Sequence, residues 1–388
     1  MFNIPLKKPN TDFDSLVKIL EGLIMPDRVV SAELLIDEEI KESILERYFN
    51  EKNYPPPIEQ WSGMNIDEID FIEKKKAYEK YYEQVVRFYC QMGYSVFADL
   101  TFITNFEAFN TQIIKTRDTA ALSRKERAWA VEGTGLIQSW EDFEKFPWKK
   151  ANGLIQEYES YLEYLDTIMP DGMKIGVVAS LFEEVLEWIL GYEGFFYMIF
   201  DRPDLVEAIF NKVGELLNDF FNTVISSDVI GCIWFADDLG YRSATMISPQ
   251  LLNKWVFPWF KKYASLAHQY GKSFFLHSCG NKDQIMDTLI EDVKIDALHS
   301  FEDNGYPVTK YKKEWGNRVG IIGGVDVDKL ARLNEGDLRK YIRNILDVCM
   351  HNGRYIFGSG NSICNYIPVD NYLIMLDEGQ KWNRELTF

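Results

Sequence analysis

The sequence predicts an α/β protein built as one closed (β/α)8 (TIM) barrel. Short apolar segments that end in polar residues recur along the chain, and each is followed by a segment of helical periodicity. Eight such units can be counted, the number that closes a barrel. No G-x-G-x-x-G follows the first strand, which weighs against an open dinucleotide-binding sheet.

The elements follow in order. A helix over 11–25, capped by Thr11, precedes a strand at 29–36, and Pro55-Pro56-Pro57 opens an irregular stretch to about 70. A charged helix over 72–92 leads to a strand at 94–99. The segment 101–148 is the least regular part, read as an insertion after the second strand, with 131–137 a hairpin or covering loop. The strict alternation then begins. Strands are expected at 174–180, 231–238, 272–279, 296–302, 318–326 and 354–360. Helices are expected at 150–167, 182–190, 203–225, 248–271, 282–291, 308–314, 335–351 and 368–384. Ser248-Pro249 is a strong start signal, a capping hydroxyl followed by proline in the first turn. The whole chain, 1–388, reads as one domain with 1–25 as an N-terminal helical extension.

Composition bounds the function. The 388 residues are 46% hydrophobic, enough for one large core. Lys and Arg number 42 against 60 Asp and Glu, a net charge of -18 that repels phosphate backbones and anionic lipid. Neither a nucleic-acid nor a membrane partner is therefore expected. No apolar run is long enough to span a bilayer, and the start, Met1 to Lys8, lacks the apolar region of a signal peptide. Five scattered cysteines make no disulfide framework, so a reducing, cytoplasmic location is expected.

The richest chemistry lies in the strand that ends Leu276-His277-Ser278-Cys279-Gly280. Side chains alternate along a strand, so His277 and Cys279 point the same way, and an imidazole with a thiol suits a tetrahedral ion such as zinc. The plainer reading is a packed histidine and an inert cysteine. Barrel active sites form at the C-terminal strand ends, which here carry Glu33, Asp99, Asp237, Asp238, Glu302, Asp326 and Ser359. Each of these can equally cap a helix, but Asp237 and Asp238 cannot both cap one, so one of them is expected in the pocket. Glu183 and Glu184 open a helix, where the macrodipole favours acids, and one of them can face the pocket. Cys90, Cys232 and Cys349 read as core residues, and His299 as packed.

Beyond composition, the second half resembles the uroporphyrinogen decarboxylase family, which includes corrinoid-dependent methyltransferases. The matching residues are Ala236-Asp237-Asp238-Leu239-Gly240, Met246-Ile247-Ser248-Pro249, His268-x-x-Gly271-Lys272, Leu276-His277-Ser278-Cys279-Gly280, Gly323-Gly324-Val325-Asp326 and Pro368-Val369-Asp370-Asn371. The resemblance implies the same barrel. Decarboxylases of the family carry an arginine-rich segment after the first strand to hold carboxylates. Here 33–39 is acidic and holds no arginine, so tetrapyrrole decarboxylation is not expected. The methyltransferase branch implies zinc on a His-x-Cys pair and a later Cys, hence His277, Cys279 and, since Ser359 stands at the last position, Cys364 if its loop folds back over the mouth, with a carboxylate such as Glu302 or Asp238 as the alternative third ligand.

The expected function is zinc-assisted transfer of a methyl group between a small methylated substrate or thiol and a corrinoid, with Asp238, Asp237, Asp99 and Glu302 as candidate catalytic acids. Leu266 stands where the D-x-H-x-x-G cobalamin signature needs Asp, so the corrinoid is expected on a separate partner protein. The alternatives are a metal-free decarboxylase or lyase using Asp99 or Asp238 as proton donor, and a non-catalytic barrel that binds the corrinoid protein.

Overall fold

The computed structural model describes residues 4–57, 69–102, 113–123, 126–130, 133 and 135–386. Nine strands are assigned among them: β1 (Val96–Asp99), β2 (Ile113–Arg117), β3 (Glu126–Ala130), β4 (Lys174–Val177), β5 (Ile230–Ala236), β6 (Ser273–His277), β7 (Ala297–His299), β8 (Gly320–Ile322) and β9 (Tyr355–Ile356). Seven form one parallel sheet in the order β1-β4-β5-β6-β7-β8-β9, so each crossover leads to the neighbouring strand. That is the barrel order, and the chain has the expected α/β barrel fold. Ile175, Val177, Ile233, Leu276, Leu298 and Ile321 are fully buried. Each such burial stabilises the fold by roughly 1.5–3 kcal/mol.

The predicted first strand, 29–36, takes the eighth position without a continuous ladder. It joins the last strand through the parallel bridges Ser31–Phe357 and Ile36–Ile363. The reason lies between those bridges. The buried Glu33 carboxylate accepts the backbone N–H of Ser359 at 2.8 Å and its hydroxyl at 2.6 Å. A side chain thus takes a donor that a regular ladder would pair with a carbonyl.

The helix Phe13–Leu20 closes the end of the barrel where the strands begin. Its Phe13 ring fills the space beside Gly231, where a Cβ would sit 2.5 Å from the ring. Its cap is Asp12, which accepts Ser15 N–H at 2.9 Å, rather than the expected Thr11, whose hydroxyl donates to Asp171 O. An anionic cap at the positive helix end outcompetes the hydroxyl one position earlier.

The insertion holds the antiparallel hairpin β2–β3 and the helix Trp140–Lys145. Residues 58–68 of the predicted irregular stretch, and Val131, Glu132 and Thr134 of the predicted hairpin or covering loop, lie outside the described residues. Gly135 and Leu136 donate to Leu190 O and Ile189 O, so this end of the segment rests on the helical turns Glu184–Leu190. The helices Glu38–Ile44, Tyr192–Asp201 and Val327–Arg332 were not anticipated. None of the described helices is long and apolar enough to cross a membrane.

Burial raises the Glu33 carboxyl from its ordinary value of 4.5 to about 8, against the two Ser359 hydrogen bonds. A carboxyl raised on folding stays neutral where the unfolded chain ionises. Its contribution is intact below about 4.5 and is lost as pH rises through about 8. Gln reproduces the neutral acid's hydrogen bonds. Glu33→Gln should therefore match the parent near pH 4.5 and exceed it in stability at pH 8, as read by urea unfolding at both values.

Candidate metal centre

The register of three neighbouring strands brings the candidate residues together. Ala236 of β5 lies opposite His277 of β6, which lies opposite His299 of β7. Past the strand ends, the loops 237–241 and 278–281 cross in direct backbone contact. Gly240 N donates to Cys279 O at 3.2 Å, Asn281 N to Tyr241 O at 2.7 Å, and Leu239 N to Ser278 Oγ at 3.0 Å. A Cβ on Gly280, whose φ is +78°, would sit 2.1 Å from the Gly240 carbonyl carbon. Only glycine on both sides permits the crossing. The crossing presses Asp238 against Cys279, whose N–H donates to Asp238 Oδ1 at 2.7 Å.

The outcome is a cluster of three donors. The ligand atoms of Asp238, His277 and Cys279 all lie within 4.8 Å of one another. His277 Nε2 is 3.6 Å from Cys279 Sγ and 3.6 Å from Asp238 Oδ1. Tetrahedral zinc with ligands about 2.0–2.3 Å away sets them roughly 3.3–3.8 Å apart, so both spacings from His277 fit. Nitrogen, sulfur and oxygen together form a borderline-soft set of the kind zinc accepts. The Asp238 side chain is 35% exposed, so one side of the triad faces the barrel mouth.

The surroundings orient the donors. Cys279 Sγ accepts from Ser300 Oγ at 3.3 Å and Asn361 Nδ2 at 3.2 Å. Burial and the adjacent Asp238 carboxylate push the Cys279 thiol well above its ordinary range. Buried Lys282 donates to Ser278 O at 2.6 Å and Gly280 O at 2.7 Å, and its ammonium lies 4.7 Å from the Tyr306 ring centroid. Burial lowers it to about 8. Burial and Lys282 lower His277 to about 3, so its imidazole is neutral. His277 Nδ1 lies 2.7 Å from His299 Nδ1.

The other predicted residues are placed differently. Cys364, expected as the third ligand, is not in the cluster, where the third donor is Asp238. Ile363 N donates to Leu35 O and Asn365 N to Asp37 Oδ2, which ties this loop to the segment 35–37. From the same loop, Asn361 reaches the sulfur instead. Asp237 is not directed at the triad. Its carboxylate accepts the N–H groups of Leu181, Phe182 and Glu183 and the Ser180 hydroxyl, at 2.8–3.1 Å. Burial still raises it to about 7. Asp99 likewise accepts Thr101 N–H and the hydroxyls of Thr101, Tyr82 and Tyr158. Glu302 is exposed and accepts the Tyr306 hydroxyl. Of the four candidate acids, only Asp238 joins the histidine and cysteine.

Glu183, one of the pair at the helix start, accepts the Asp238 N–H, which sets it beside the triad. Burial raises its carboxyl, and the charges of Asp238, Asp237 and Glu187 push the same way. Glu187, which accepts the Tyr192 hydroxyl, extends this acidic side. Nothing local in the sequence marks Ser300, Asn361 or Glu187 as neighbours of the site, and His299, expected to be packed, lies against His277. The signal for His299 was its place at a strand end beside the His277 strand.

A sequence model of one family, described as Uroporphyrinogen decarboxylase (URO-D), matches residues 175–382. No curated protein sequence matches the chain. Among solved structures, a methyltransferase from Methanosarcina mazei superposes with a TM-score of 0.62 at 13% identity, over 96% of this chain and 99% of that one. A B12-independent methionine synthase from Shewanella sp. W3-18-1 reaches 0.47 at 10% identity, over 82% and 90%. At such identities the likeness to the first is one of fold.

The two neighbouring aspartates should separate on substitution. Asp237→Ala strands buried N–H groups and should cost about 1–3 kcal/mol in thermal or urea unfolding. Asp238→Asn keeps the acceptor for Cys279 N–H and should unfold close to the parent.

Proposed function

The chain belongs to the uroporphyrinogen decarboxylase family, and on that premise we propose that it is a zinc-assisted methyltransferase, moving a methyl group between a small methylated substrate or thiol and a corrinoid carried by a separate protein. The observation that carries this reading is the triad of Asp238, His277 and Cys279, whose donors have the spacing of a tetrahedral ligand set with one side toward the mouth. The Methanosarcina mazei relative with the same fold is a methyltransferase. A decarboxylase acting on several carboxylates needs guanidinium or ammonium groups to grip them. Here Glu183 and Glu187 stand beside Asp238, and 33–39 holds no arginine.

Zinc held there supplies Lewis acidity: it keeps a substrate thiol ionised at neutral pH, or polarises the oxygen or nitrogen that bears the methyl group. The chain's own residues do the rest. Neutral His277 offers a ring nitrogen to the cation, and Ser300 and Asn361 steady the Cys279 sulfur by donating to it. Two anionic ligands, Cys279 and Asp238, balance a divalent charge, so buried Lys282 is left to clamp the loop that carries Cys279. A corrinoid needs its own large binding surface, and the partial signature at His268 offers none. His268 sits in the last turn of its helix, paired with Asp296 at 2.8 Å.

Zinc analysis tests the ligand set. The parent should retain close to one equivalent. His277→Ala, Cys279→Ala and Asp238→Ala should each lose it, and Cys364→Ala should keep it. Activity is tested with free methylcobalamin as the corrinoid and a panel of small thiols, followed by the change in corrinoid absorbance. Turnover should depend on zinc and vanish in Cys279→Ala. Undiminished zinc in the triad variants, or turnover indifferent to chelation, would overturn the proposal.

A further inference from the structure

We infer that His299 is a positioning residue that fixes the tautomer of His277, so that the His277 nitrogen facing Cys279 and Asp238 carries a lone pair and not a proton. The inference rests on the reading of the triad as a metal centre, and it concerns a residue outside the triad. Two ring nitrogens 2.7 Å apart hold one proton between them: one ring donates and the other accepts. The far side of His299 decides which. Its Nε2 lies 3.4 Å from Ser359 O, a carbonyl that can only accept, and that also receives Gly324 N–H at 3.0 Å. His299 therefore carries its proton on Nε2, and its Nδ1 is the acceptor. His277 must donate from Nδ1, which leaves its Nε2 bare.

The opposite arrangement is disfavoured at both ends. A bare His299 Nε2 would face the carbonyl oxygen, lone pair to lone pair. A protonated His277 Nε2 would find the Asp238 carboxylate at 3.6 Å, too far for a hydrogen bond, and as its acceptor the Cys279 sulfur at 3.6 Å, a weak acceptor that Ser300 and Asn361 already donate to. Packing holds the rings in place. Trp234 meets the His299 ring edge-on, with centroids 5.8 Å apart and planes at 84°. The strand register sets His299 opposite His277. Metal-binding histidines commonly donate their second nitrogen to an oxygen acceptor, and here another histidine takes that part.

The test uses the full chain with 15N-labelled histidine. It holds four histidines, and His277→Gln assigns the signals of the pair. In the metal-free protein, His277 should report as the Nδ1–H form and His299 as the Nε2–H form. His299→Phe keeps a ring but offers no acceptor. It should shift His277 to the Nε2–H form and weaken zinc binding, measured by chelator competition, by about 10–100-fold. His299→Gln, with an acceptor oxygen and a donor for Ser359, should recover part of the loss. A parent spectrum with His277 protonated on Nε2 overturns the inference whether or not the variants fold, and so does parental zinc affinity in His299→Phe. Should the parent show the stated tautomers and yet bind no zinc, the inference about His299 stands and the metal reading falls.

Discussion

The arrangement of the centre depends on a backbone contact, the crossing of the loops after β5 and β6 at Gly240 and Gly280. Strand register brings His277 and Cys279 to the end of the barrel, but two donors do not make a metal site. The third comes from the neighbouring strand's loop, and it arrives only because two glycines let the chains meet without side chains between them. Lys282 holds the same crossing from the buried side by capping two carbonyls of the loop. A cation is thus used to fix backbone geometry within a few residues of a thiol and a carboxylate.

The acids at the strand ends divide into two groups by what surrounds them. Asp99 and Asp237 meet enough hydroxyls and backbone N–H groups to use up their oxygens, and they work as internal caps that hold the turns after β1 and β4. Glu183 is buried against Asp238 and accepts its backbone N–H, so the two carboxyl groups stand close and their like charges repel. Proximity of like charges there favours either a bound proton or a nearby cation. A divalent ion on the triad meets that demand, which ties the acidity of this side to the proposed chemistry.

Ser359 links closure of the barrel to the centre. Its N–H and hydroxyl hold Glu33 from the first strand, and its carbonyl faces His299. The resemblance implied a ligand sulfur at this position. The serine has a different employment: it joins the two ends of the chain where no regular ladder does, and it presents an acceptor to the histidine behind the ligand imidazole. In the proposed centre that place belongs to Asp238, whose carboxylate lies with His277 and Cys279 though on another strand.

Most of the fold was legible in the sequence because it is encoded locally. Apolar runs of five or so residues and helices of regular period announce eight strand–helix units, and alternation along one strand puts His277 and Cys279 on one side. The sequence by itself also determined that carboxylates crowd the strand ends. It did not say which of them are spent on backbone donors, since the donors to Asp237 lie 54–57 residues away and appear only when β4 and β5 pair. Nor did it decide between Cys364 and Asp238, because linear distance says nothing about which loop folds toward the sulfur. Those choices, and the proton shared by two histidines 22 residues apart, belong to the tertiary structure, where strand register and a glycine crossing set the distances on which hydrogen bonding and coordination depend.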